Sequence, residues 1–264
     1  MRLPNRGSAA SRRALECGPV RPSSRAGRHH DFRSYAYNQG FFIKLGSVPL
    51  AIALAWAMII TSSMFMSDRL GIPARLAPFA DAVFAIVLDL SLDAIAIRQG
   101  LWHWNIPLNA GFFGVPAGNY YGWLFVAFGF SAWTRWVRAR ADARPASPWL
   151  QLLVPVPAYL TLLLALVPFI ILQQRFFGGP TGGFPSLLFT LALFAVLTGW
   201  SMRRREGRLP RPWLMPLFPR LLIHGYFLCA GTLFGIFQQV PVLLAMSLGM
   251  VAIELSLAPA SRRL

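Results

Sequence analysis

The chain has 264 residues, 56% of them hydrophobic and 13% charged, with a formal net charge of +16. In a soluble protein that charge would point to nucleic acid, but here the arginines stand between apolar runs of about 20 residues, the length a bilayer-spanning helix needs. Composition therefore excludes a nucleic-acid-binding globular domain and predicts an all-α, multi-pass transmembrane helical bundle. The two cysteines, Cys17 in a polar tail and Cys229 in an apolar run, suggest neither a disulfide framework nor a zinc site.

Residues 1–44 form a polar tail that holds eight arginines and Lys44, with Ser, Pro, Gly and Ala between them. It has no apolar period, so disorder is expected, and it lacks the apolar core of a secretion signal. Apolar runs then predict spans at 46–66, 76–97, 120–137, 150–172, 184–202, 217–237 and 240–258, about seven in all. The helical domain is expected over 45–258, followed by a short basic tail at 259–264.

Charge sets the expected orientation. If the loops after the third and fifth spans are cytoplasmic, that side holds fourteen arginines, among them Arg69, Arg135, Arg138, Arg203, Arg204 and Arg220, against Arg98 and Arg175 on the other. This is the positive-inside pattern of an inner (plasma) membrane protein with a cytoplasmic C-terminus. The basic N-terminal tail contradicts it, because seven spans put the tail outside. Either the count is wrong by one or a further helix belongs upstream; the expectation adopted here is the upstream helix.

Within the second predicted span stand Asp81, Asp89 and Asp93. At 100° per residue the three fall within about 120° of one another and can face one interior seam, with Asp89 and Asp93 direct neighbours at i, i+4. An aspartate at that depth costs roughly 2.5–3.5 kcal/mol on an insertion scale, so it is read as functional by default. Two carboxyls drawn out of water so close together cannot readily both ionise, and a pair holding one proton is a plausible general acid. The alternative is that the aspartates only bridge neighbouring helices, a reading that suits Asp81 especially.

The loop at 98–119 adjoins the half of the span that bears the pair. Its Trp102 and Trp104, with Trp123 beyond, can form an interfacial aromatic belt, line a lipid-facing mouth, or shield a cation beside the acids. Asn119 reads as either a ligand or a helix N-cap. Gly114, Gly118 and Gly122 are spaced by four, as are Gly231 and Gly235, and are assigned to close helix packing. Glu254, Gln238, Gln239 and His224 are read as packing or interface residues. Four scattered histidines argue against a membrane di-iron centre, and the GGPTGG turn at 178–183 lacks the Lys-Ser/Thr sequel of a phosphate loop.

The run from Asp89 to Trp123 resembles the signature of the carotenoid biosynthesis membrane-protein family, whose characterised members hydrate the 1,2 double bond at acyclic carotenoid ends. The matching residues are Asp89 and Asp93, then Gly100, Trp102 and Trp104, then Gly114, Val115, Pro116, Asn119, Gly122 and Trp123. The likeness extends more weakly to Val48-Pro49-Leu50, Trp56, Tyr35 and Tyr37. Ala94 stands where the family usually has Pro, which leaves the helix straighter there, and the basic tail stands where the family has further helix.

The resemblance implies a hydro-lyase that protonates a terminal alkene of an acyclic carotenoid, with no metal or redox cofactor. Asp89 and Asp93 are the candidate catalytic residues; Asp81, Trp102, Trp104, Asn119 and Trp123 are the candidate substrate-binding residues. Implied partners are the lipid-soluble carotenoid, membrane lipids and other enzymes of that pathway. Two alternatives stand beside this reading. A prenyltransferase would use Asp-x-x-x-Asp to hold magnesium and diphosphate, but a second acidic motif is missing and Arg98 is the one nearby cation. A transporter or a non-catalytic isoprenoid binder could keep the same aspartates, although no internal repeat supports transport.

Overall fold

The structure, a computed structural model, describes residues 35–143, 149–176, 182–204 and 214–257. It consists mainly of helices: α1 (Leu50–Arg69), α2 (Ala77–Arg98), α3 (Ala117–Ala143), α4 (Trp149–Leu152), α5 (Pro155–Phe176), α6 (Phe184–Arg203), α7 (Leu214–Leu233), α8 (Ile236–Gln239) and α9 (Pro241–Leu257). The seven long helices fall at the seven predicted spans, with α3 longer than expected at both ends. Three segments, Leu50–Arg69, Trp149–Phe176 and Phe184–Arg203, are long and apolar enough to cross a membrane by length and composition. The protein is a helical membrane protein. The other long helices carry interior charges, and α9, which bears Glu254, has only 17 residues.

The bundle is arranged around α2. That helix is apolar on nearly every side apart from its aspartates, and a helix apolar all round belongs inside. All but four of its 22 residues are buried, packed by α1, α3, α6, α7 and α9. By contrast α5 buries only Ala158 and Phe169 and turns Leu163, Leu164 and Val167 outward, as a lipid-facing helix does.

The expectation of an all-α chain needs one addition. Two short antiparallel pairs exist, β1 (Tyr35–Tyr37) with β4 (Trp102–Trp104) and β2 (Lys44–Leu45) with β3 (Val48–Pro49). Tail disorder predicted for 1–34 lies outside the described residues, but from Tyr35 onward the expectation fails: the chain forms β1, with Tyr35 opposite Trp104 and Tyr37 opposite Trp102. Asn38 extends the attachment by donating to the Gly100 carbonyl at 2.7 Å. Gly114 is not at a helix contact as its spacing suggested. It sits in the turn before α3 at φ +88°, where a Cβ would lie 2.9 Å from Ile97, so only glycine suits the position.

Candidate functional site

The three aspartates of α2 have different surroundings. Asp93 is held from both sides: Trp102 Nε1 donates to Oδ1 at 2.7 Å and Asn119 Nδ2 donates to Oδ2. One donor comes from β4 and the other from the first turn of α3, so the acid fastens the loop to two helices. Asn119 lies inside α3, after Ala117, and is a partner of the acid and not an N-cap. Asp89, one turn earlier, is fully buried, and among the described residues neither of its carboxyl oxygens has a hydrogen-bond partner. The Tyr120 hydroxyl is likewise buried and, among the described residues, has no hydrogen-bond partner. Sequence reading passed over Tyr120 because a tyrosine in an aromatic run carries no signal of its own.

A cavity of about 330 Å³ opens beside Asp93, lined by Tyr35, Trp56, Trp102, Trp104, Asn119 and Trp123 among others. Its wall is built from β1, α1, α2, β4, α3 and α7. β1 brings Tyr35 within 4.5 Å of the Trp104 ring, and Trp56 of α1 stacks on Trp123 of α3 with centroids 3.6 Å apart and planes 23° apart. Burial, with a smaller contribution from the Tyr37 hydroxyl, pushes the Tyr35 phenol above its ordinary range, so Tyr35 presents a neutral O–H to the cavity. Asp93 lines the cavity and Asp89 stands behind it.

Asp81 is not part of this assembly. It lies eight residues before Asp89, about 12 Å along the helix, where Ser131 Oγ donates to it at 2.5 Å and Arg135 contacts it at 3.1 Å. Arg135 also bonds Asp68 at 2.5 Å and Ser67 at 2.8 Å. A second interior ion pair joins Arg220 of α7 to Glu254 of α9, with Arg220 also donating to Ser63 at 2.9 Å and to the Phe84 carbonyl at 2.5 Å. Arg135 and Arg220, which the topology count treated as loop cations, are thus engaged inside the bundle. His224 meets Ser91 at 3.1 Å, and Gln238 and Gln239 are exposed. The cation nearest the acid pair in sequence, Arg98, donates to the carbonyls of Ala94, Phe113 and Leu108 at 2.9, 2.7 and 3.2 Å.

Asp93, Trp102, Trp104, Asn119 and Trp123 are therefore brought together with Asp89 at their back, while Asp81 is kept apart. A buried carboxyl pair without a cation, at one end of an aromatic cavity, is suited to holding and releasing a proton toward an apolar guest. Residues 29–177, more than half the chain and including Tyr35, Trp56, Asp89, Asp93, Trp102, Trp104, Asn119 and Trp123, match the model of a family described as carotenoid biosynthesis protein. The chain belongs to that family. Neither a curated protein nor a solved structure matches it. Membership gives the protein a role in carotenoid biosynthesis and makes a lipophilic isoprenoid its substrate class.

Proposed function

We propose that this protein is a hydratase that adds water across the terminal double bond of an acyclic carotenoid. The observation that carries the reading is the placement of Asp93 on the wall of an aromatic cavity, backed by a buried, unpartnered Asp89. The pair holds one proton between its two carboxyls. Asp93, the member that meets the guest, passes it to the less substituted alkene carbon, forming a C–H bond and leaving a tertiary cation on the neighbouring carbon. Two carboxylates then face that cation, and the ring faces of Trp102 and Trp104 shield it. Water adds its oxygen to the cation and returns a proton to the pair. The sum is one water added per double bond, with the protein restored.

Trp102 and Asn119 keep Asp93 aimed at the cavity, and Arg98 is unsuited to a diphosphate because backbone carbonyls already take its N–H groups. That favours hydration over prenyl transfer. We further read α1, α2, α3, α5, α6, α7 and α9 as seven spans in the inner membrane with a cytoplasmic C-terminus, since each has 17 residues or more and the arginines concentrate on one side. The test is expression in cells that accumulate an acyclic carotenoid, with pigments separated by chromatography and weighed by mass spectrometry. A more polar product heavier by one water, absent with Asp93→Asn, is expected. An unchanged pigment profile from a correctly inserted chain would remove the hydratase reading and leave a polyene binder.

A further inference from the structure

We propose that the strip running across α3, from its α5 side at the acid cavity to its α1 side at the far end, is a binding groove for a long linear polyene, which lies lengthwise along α3 with one end in the acid cavity. The inference rests on the hydratase reading only in assigning the acid cavity to a polyene end. Its basis is a pair of helical stripes. On α3 the residues Gly118, Gly122, Val126, Phe130, Thr134 and Arg138 recur every fourth position, and all six border open space. On α1 the small residues Ala53, Ala57 and Thr61 recur at the same interval and border the part of that space from Val126 to Arg138. Residues four apart advance by about 40° around a helix, so over five steps the α3 stripe turns from the α5 side of that helix, where Leu162 and Leu166 flank it, to the α1 side, where Ala53, Ala57 and Thr61 flank it.

The trough is continuous with the acid cavity. A second cavity of about 630 Å³ shares Trp56, Trp104, Asn119 and Trp123 with the one at Asp93. A third, of about 440 Å³, takes over at Trp56 and Val126 and runs on to Arg138. From Gly118 to Arg138 the stripe covers 20 residues, about 30 Å of helix rise, which is the thickness of a bilayer's hydrocarbon core. Hydrogen-bonding side chains cluster at the two ends, Asp93 and Asn119 at one and Thr61, Thr134 and Arg138 at the other.

An extended, unbranched chain is what such a trough can hold. Gly122 keeps its floor low beside α5: a Cβ there would already meet Leu162 Cδ1 in van der Waals contact at 4.0 Å, so a bulky side chain would fill the trough. At the junction of the three cavities the stacked Trp56 and Trp123 rings offer flat aromatic faces to a conjugated guest. The trough lies between helices of a membrane protein, so the guest slides in sideways from lipid with no passage through water.

Plugs at two depths test this on the full-length protein purified from cells that make either a long acyclic polyene or a half-length analogue. Retained polyene is measured by absorbance per mole of protein, and hydrated product is scored separately. Wild type is expected to retain both polyenes. Thr134→Trp, far from the acids, should keep the half-length chain at the wild-type level and lose the long one by about tenfold, as overpacking of a fitted site does. Gly122→Phe, next to the acid cavity, should lose both. Retention of the half-length chain by Thr134→Trp doubles as its folding control. Equal effects of Thr134→Trp on the two lengths, full retention by Gly122→Phe, or a wild type that carries phospholipid in place of polyene would each overturn the groove. The two readings separate cleanly: the length pattern without hydrated product keeps the groove and removes hydration, and product without the length pattern does the reverse.

Discussion

The two ends of α2 handle the same problem in opposite ways. Toward its start, Asp81 is fully buried but meets Arg135 and Ser131, and Arg135 in turn meets Asp68. Close by, Glu254 is buried but paired with Arg220, which also reaches the Phe84 carbonyl of α2. Toward its end, among the described residues, Asp89 has no hydrogen-bond partner, and Asp93 has two N–H donors and no cation. A buried acid with a fitted cation is fixed in one charge state and ties helices together. A buried acid pair without one is free to exchange a proton. Burial is common to both; the compensating charge is what differs.

The largest effect is expected from breaking the compensated end. Arg220→Met would leave Glu254 buried without its cation, at a cost of about 3–5 kcal/mol in stability. The measurement is the unfolding midpoint in detergent, and pairing the change with Glu254→Leu should recover most of the loss. Activity per folded molecule should be unchanged in the recovered double variant. A single variant as stable as wild type would show that the ion pair does not hold α7 to α9.

At the uncompensated end the order of effects reverses. Asp93→Asn should lower hydration by about 10²–10⁴-fold, the usual worth of a positioned proton donor, while the unfolding midpoint stays level or rises because a buried acid has been neutralised. Asp81→Asn is the control that sharpens the comparison: it should lose stability and leave turnover per folded molecule within about twofold, since its partners are ionic and remote from the cavity. If the two asparagine variants behaved alike, the division of α2 into a structural and a chemical end would not stand.

Much of this arrangement was legible in the sequence. Apolar runs gave all seven long helices, because a membrane helix must be continuous and apolar to be stable at all. The stretch from Asp89 to Trp123 supplied five of the residues around the cavity. What the sequence concealed was pairing at a distance. Arg220 and Glu254 are 34 residues apart on different helices, and the charge count placed Arg220 only among the cytoplasmic-side cations. A three-residue strand such as Tyr35–Tyr37 has no period to detect, so its pairing with β4, which brings Tyr35 to the cavity, could not be read from alternation. Asp81 looked equivalent to Asp89 because helical geometry places both on one seam, and only the position of Arg135 on another helix separates them.

Trp102→Phe keeps an aromatic ring on the cavity wall and removes the N–H that Asp93 Oδ1 accepts at 2.7 Å. Losing one hydrogen bond to a charged group costs about 1.5–3 kcal/mol, so turnover should fall by roughly ten- to a hundredfold. The loss should appear in kcat more than in KM, because the ring face that touches the guest is retained. An equal or larger rise in KM would reassign Trp102 to substrate contact alone.

The smallest effect tests the residue the sequence did not reveal. Among the described residues the Tyr120 hydroxyl has no hydrogen-bond partner, although it is buried. A buried hydroxyl left without function costs stability, so its removal in Tyr120→Phe should raise the unfolding midpoint slightly or leave it level. If instead the hydroxyl steadies the proton or the incoming water beside Asp89, the same change should slow hydration by about tenfold, the equivalent of one ordinary hydrogen bond of roughly 1–1.5 kcal/mol. The infrared band of the protonated carboxyl offers a second readout that needs no turnover. It should shift in Tyr120→Phe and vanish in Asp89→Asn, because a hydroxyl near that carboxyl changes its hydrogen bonding. An unmoved band with an unchanged rate would make Tyr120 a packing residue against Phe112, its ring neighbour at 5.5 Å, and would leave the acid pair to work alone.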